Sequence, residues 1–196
     1  AEAAPSPATP PGKAEKAPKK CVHATVAHVE MPGGKRVLAS ADLLSTCRLV
    51  VACLVANGLL RSTLTCFVDG ERILQDELLR VFAWVGTIQL ILDWYHVCKK
   101  VREQLSTALN NRHVRNDVVK GLLYLLWYGR VDAAITAIRT IDAKHVKAPA
   151  ALDRLVGYFE RNRPNIPCYA ARKKLGVRNS SNRGEKANDI VVSARQ

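Results

Sequence analysis

Hydrophobic and polar positions alternate in two distinct rhythms along this chain. Near the start, the β-favouring runs "CVHATVAHVE" and "KRVLAS" flank "MPGG", and a Pro-Gly-Gly turn between such runs predicts a β-hairpin. In "ADLLSTCRLVVACLVANGLL" the residues Leu43, Cys47, Val50, Val51, Leu54 and Val55 recur at helical spacing. Ser40 is placed to cap this helix and Asn57-Gly58 to stop it. "STLTCFVD" predicts a strand, "ERILQDELLRVFAW" an amphipathic helix and "IQLIL" a short buried strand. "WYHVCKKVREQLSTAL" then puts Val97, Val101, Leu105 and Ala108 on one helical face.

From about Arg112 the strand rhythm stops. "VRNDVVKGLLYLLWYG", "RVDAAITAIRTID" and "APAALDRLVGYFERN" predict three consecutive helices, with Gly129 and Pro149 near their ends. An extended link, a short helix over "CYAARKKL", a loop and a last helix from about Asn182 complete the pattern. Strand–helix–strand order implies α/β architecture with a parallel sheet, and ligands in such sheets bind beyond the carboxyl ends of the strands. Four segments are expected: a Pro/Ala/Lys-rich tail over 1–20, an α/β portion over 21–110, a helical block over 111–165 and a closing segment over 166–196.

Charge narrows the function. The 196 residues carry a formal net charge of +13, and a polyanion, nucleic acid first, is the expected partner. The cations cluster as Lys99, Lys100 and Arg102, as Arg172, Lys173 and Lys174, and from Arg178 to Lys186. In the last cluster, Asn179 and Ser180 stand between Arg178 and Arg183 and add phosphate hydrogen-bonding groups. Solvated helix faces are the plainer reading of such clusters. Trp94, Tyr95, Trp127 and Tyr128 are expected in the core rather than as base-stacking platforms. The 6 cysteines form no C-x-x-C pair; Cys47, Cys53 and Cys66 read as small core residues, and a reducing compartment is expected. No apolar run reaches the roughly 18 residues of a membrane span, so no membrane partner is expected.

Three carboxylates attract attention. Asp69 follows the strand "LTCFV" and precedes a glycine, which suits a Mg²⁺ site or an ordinary turn. Asp93 and His96 form D-x-x-H where "IQLIL" meets the next helix; the aspartate can cap that helix and share a face with the histidine. Glu185 stands three residues after Asn182, as in a capping box, with Arg178, Arg183 and Lys186 around it. The sequence holds no P-loop, H-E-x-x-H, nucleophile elbow or G-x-G-x-x-G.

Taken in order, "FVDGERI", "LILDWYHVCKKV" and "YFERNRPNIPCYAARKKLGVRNSSNRGEKANDIVVSARQ" resemble the catalytic portion of bacterial insertion-sequence DDE transposases. The resemblance covers about Val22 to Gln196. It implies an RNase H-like sheet, here incomplete (hairpin plus parallel strands), flanked by helices, with an all-α insertion before the last helix. It makes Asp69 and Glu185 catalytic metal ligands for Mg²⁺ or Mn²⁺, and Asp93 with His96 a signature pair ordering the strand end. It implies phosphodiester cleavage and strand transfer on transposon ends and target DNA, self-association on DNA, and a cytoplasmic, nucleoid-associated place in a bacterium. The family's first aspartate lies on a strand before the hairpin, where this sequence has its Pro/Lys tail; Asp42 is the first aspartate here. A truncated, catalytically impaired transposase is therefore expected. The rivals are a non-enzymatic basic nucleic-acid-binding protein and a helical interaction domain in which Asp69 is only a cap.

Overall fold

The computed structural model describes residues 25–85 and 87–181. Strands β1 (Thr25–Met31) and β2 (Gly34–Ser40) pair antiparallel, from Thr25 opposite Ser40 to Met31 opposite Gly34. Gly33, at φ 84°, makes the reversal that a side chain would resist. Helix α1 (Leu43–Ala56) follows. Its cap is Asp42, whose carboxylate accepts the Ser45 N–H at 2.8 Å. The expected cap, Ser40, is instead the last residue of β2. Cys47 and Leu54 are buried, but Val55, placed on the same face by spacing, is exposed.

Strand β3 (Leu64–Val68), helix α2 (Arg72–Phe82) and strand β4 (Ile88–Leu92) form the strand–helix–strand unit. β3 and β4 pair in parallel, Leu64 beside Ile88 through Val68 beside Leu92. Helix α3 (Trp94–Ala108) leaves β4 directly and buries Val97, Val101, Leu105 and Ala108 completely, as its periodicity predicts. Then come α4 (Arg112–Trp127), α5 (Val131–Arg139), α6 (Pro149–Asn162) and α7 (Tyr169–Lys174).

The architecture is thus mixed α/β, with seven helices and two small sheets among the described residues. The hairpin and the parallel pair share no ladder; each is a separate two-stranded sheet. β1 and β3 instead line the two sides of a partly apolar groove of about 280 Å³. The helical block has no core of its own. Val68, Leu92, Val101, Leu126, Ile135, Leu155 and Phe159 belong to one buried cluster, so strands and block fold around common packing. A second cluster joins α1 and α2 through Cys47, Leu54, Phe82 and Val85. Among the described residues no helix is long and apolar enough to cross a membrane. Cys47, Cys53, Cys66, Cys98 and Cys168 are free thiols. Burial pushes the Cys66 thiol up to about 11.

Candidate functional site

Parallel pairing in register brings the two strand-ending aspartates side by side: β3 runs into Asp69 and β4 into Asp93, and the Asp93 N–H donates to the Val68 carbonyl at 2.8 Å. Their side chains then part. Asp69 is exposed; one carboxylate oxygen accepts the Glu71 N–H at 2.9 Å, turning the chain into α2. Gly70 at φ 94° completes that turn. A Cβ there would stand 2.6 Å from the Tyr158 ring, so only glycine lets α6 come this close. The Tyr158 hydroxyl donates to the Asp69 carbonyl at 3.0 Å. Burial, then the charges of Asp69 and Asp93, push the Tyr158 phenol well above its ordinary range.

Asp69 opens into a cleft of about 460 Å³. His96, Lys99 and Lys100 enter it from α3, one helical turn apart, and Arg154, Tyr158 and Arg161 from α6. Lys99 lies 4.0 Å from Glu103 on its own helix, and Lys100 sits 5.7 Å over the Tyr158 ring. Among the described residues Lys100, Arg154 and Arg161 have no carboxylate partner. Three exposed carboxylates, Asp69, Glu71 and Glu103, share the cleft with these cations. Such a mixed surface suits an anion that also needs an acidic contact, such as a phosphodiester held with a divalent cation. The contribution of α6 was not picked out by sequence. Its signal is the stripe Arg154, Tyr158, Arg161 at i, i+4, i+7.

Asp93 is 1% exposed and fully engaged. One oxygen accepts the Tyr95 N–H at 2.8 Å, capping α3, and the Ser180 hydroxyl at 2.9 Å. The other accepts the Ser181 N–H at 2.5 Å and the Ser181 hydroxyl at 2.6 Å. The D-x-x-H pair therefore works as two parts: Asp93 holds the closing segment, and His96 lines the cleft beside Asp69.

That closing segment is fastened at further points. The Trp94 N–H donates to the Asn179 carbonyl at 3.0 Å, and the Asn179 side-chain amide donates to the Tyr169 carbonyl at 2.8 Å. The Tyr169 hydroxyl donates to the Leu92 carbonyl at 2.6 Å. Arg172 spends its guanidinium on the Arg178 carbonyl and Asn179, and Arg178 pairs with Glu30 of the hairpin. Arg172, Arg178, Asn179 and Ser180, expected as phosphate contacts, are thus brought together as a lock across the end of β4. Lys173 and Lys174 remain exposed on the last turn of α7. Arg183, Glu185, Lys186 and the expected last helix lie outside the described residues.

Trp94 and Trp127 pack on Tyr169 as expected of core aromatics, with ring centroids 4.8 and 6.1 Å away. Tyr95 and Tyr128, expected with them, are exposed. Among the described residues no three His, Cys, Asp or Glu side chains are grouped to hold a metal ion. Comparison with known proteins adds no relative: no family model, no curated protein and no solved structure matches this chain.

Proposed function

We propose that this chain is a DDE-transposase-like protein that binds DNA and handles its phosphodiester backbone with a divalent metal. The observation that carries this reading is the Asp93 lock. It fastens Ser180 and Ser181 at the end of β4, next to Asp69, and Glu185 follows only four residues after Ser181. Four residues span at most about 14 Å, so the chain tethers the expected second carboxylate close behind the lock.

The donors fit the chemistry. Carboxylate oxygens are the hard ligands that Mg²⁺ and Mn²⁺ take, and Asp69 is exposed with an oxygen to spare. Asp69 and Glu185 would hold the metal, which would activate the attacking oxygen and stabilise the leaving one. Lys99, Lys100, Arg154 and Arg161 would orient the phosphodiester and offset its charge. Asp93 and His96 would fix the strand end beside it.

The finer fold belongs to the same proposal. In the resembled enzymes the strand with the first aspartate precedes the hairpin. The groove between β1 and β3 offers two strand edges that have no ladder partner among the described residues, and an RNase H-like sheet needs one strand more. With two of three carboxylates, the 196-residue chain alone is expected to bind DNA and to cleave it slowly.

Supercoiled plasmid tests this. Weak nicking that requires Mg²⁺ or Mn²⁺ and disappears in both Asp69→Ala and Glu185→Ala, with DNA binding retained, supports the reading. Nicking indifferent to both substitutions overturns it. Binding with no metal-dependent chemistry under any condition points to the rival, a basic nucleic-acid-binding protein, which the cations without carboxylate partners in the cleft would also serve.

A further inference from the structure

The Asp69 cleft is not the only place where cations gather beside α3. A second pocket, of about 400 Å³, opens at the other end of that helix and is lined by Ser106, Asn110, Arg112, Arg115 and Lys147. No carboxylate lines it. Arg112, Arg115 and Lys147 have no ion-pair partner among the described residues. Arg115 turns its guanidinium to the Asn116 amide oxygen, which leaves its charge uncompensated.

Helix geometry relates the two pockets. Lys99 in the first and Ser106 in the second are seven residues apart, hence two turns, about 20° apart around the axis and about 10 Å along it. Both face away from Val97, Val101, Leu105 and Ala108, the buried side of α3. Helix α6 runs alongside: Arg154 contacts Gln104 at 3.3 Å, and the Lys147 N–H, just before α6, donates to the Ala108 carbonyl at 2.8 Å. Cations therefore continue from Arg161 and Lys100 at the Asp69 end, past Arg154, to Lys147 and Arg112 at the far end. Glu103 is the one carboxylate on this course along α3, and Lys99 lies 4.0 Å from it.

We propose that this row is a track for a nucleic-acid backbone, with the second pocket holding a phosphate further along the strand than the one at Asp69. Two pockets beside one helix, each with cations that have no carboxylate partner among the described residues, match a ligand with repeated negative charges better than a single small anion. The side chains are guanidinium, ammonium, amide and hydroxyl groups, which contact phosphate without reading bases. The inference rests on the nucleic-acid reading of the Asp69 cleft, but not on cleavage there.

Fluorescence anisotropy with a duplex of about 20 base pairs, titrated at several salt concentrations, tests the track. Replacing Arg112, Arg115 and Lys147 together by Ala should lower the salt slope of log K by about 2 to 3 and weaken binding at least on the order of tenfold. Lys147→Arg should keep wild-type binding, since the track asks only for positive charge. An unchanged slope in the triple variant, with its circular-dichroism melt also unchanged, overturns the proposal. So does full displacement of the duplex by millimolar inorganic phosphate, which would mark a simple anion site. If metal-dependent nicking is absent while the slope still falls, the track stands and the cleavage reading fails.

Discussion

Asp69 and Asp93 end neighbouring strands of one parallel pair, yet they meet opposite surroundings. Asp93 is 1% exposed and accepts four hydrogen bonds, three of them from Ser180 and Ser181. Asp69 is exposed and accepts one, from the Glu71 N–H. A buried carboxylate is tolerable only when its oxygens are satisfied, and the donors around Asp93 meet that demand. An exposed carboxylate at a strand end has acceptor capacity left over, which a ligand can use. The difference teaches that position in the sheet does not assign the role. What decides it is whether the closing segment covers the strand end.

The largest test of the contrast is Asp93→Ala. It leaves two serine hydroxyls and two N–H groups without their acceptor, at a buried place. The loss should be about 3 kcal/mol or more, since hydrogen bonds to a charged group contribute about 1.5–3 kcal/mol each and are not additive. Urea denaturation measures it, and the closing segment should become open to proteolysis under native conditions. A loss below about 1 kcal/mol would mean that the lock is dispensable, and the contrast with Asp69 would collapse.

Gly70→Ala probes the Asp69 end without touching a carboxylate. The new methyl meets the Tyr158 ring and forces a side chain to φ 94°. Strain of this kind costs about 1–3 kcal/mol, so about 2 kcal/mol is expected in the same denaturation experiment. If the variant is as stable as wild type, α6 is not held against the β3–α2 turn, and the cleft wall formed by Arg154 and Arg161 is not fixed.

The sequence made the elements legible but not this division of labour. Periodicity placed α3 and its buried Val97, Val101, Leu105 and Ala108, because a helix face is a local property. Both strand-ending aspartates were visible as single residues after apolar runs. The serine donors to Asp93 lie 87 and 88 residues away, and nothing local couples them to it. The cations of the closing segment looked like a free basic face. The structure shows Arg172 and Arg178 engaged with a carbonyl and with Glu30, because a charged group beside a fold-closing contact finds acceptors within reach. The two separate sheets were also hidden: strand propensity is local, whereas which edges share a ladder is set by packing. The capping of α1 by Asp42 rather than Ser40 is the same lesson over two residues, since the hairpin keeps Ser40.

A milder change is Tyr158→Phe. It removes the hydroxyl that donates to the Asp69 carbonyl at 3.0 Å and keeps the ring against Gly70. A net loss of about 1 kcal/mol is expected in urea denaturation, the ordinary contribution of one such bond. A much larger loss would show that the hydroxyl, and not ring packing, holds α6 to β3. Combined with Gly70→Ala, the losses should not add, because both act on one contact.

Asp69→Asn should change stability least and sharpen the comparison most. The amide oxygen can still accept the Glu71 N–H, so the turn into α2 survives. Surface substitutions of this kind stay within about 0.5 kcal/mol. Removing the charge nonetheless deprives the cleft of the one aspartate among its carboxylates, leaving Glu71 and Glu103. Metal-dependent plasmid nicking should therefore disappear, while duplex binding should hold or tighten as a repulsive charge leaves the row of cations. Asp93→Asn gives the opposite profile: loss of stability first, with loss of binding as its consequence. If the two asparagine variants behave alike, by unfolding or by keeping activity, then the exposed and the buried aspartate do not differ in role. The strand end at Asp69 would then be only a turn.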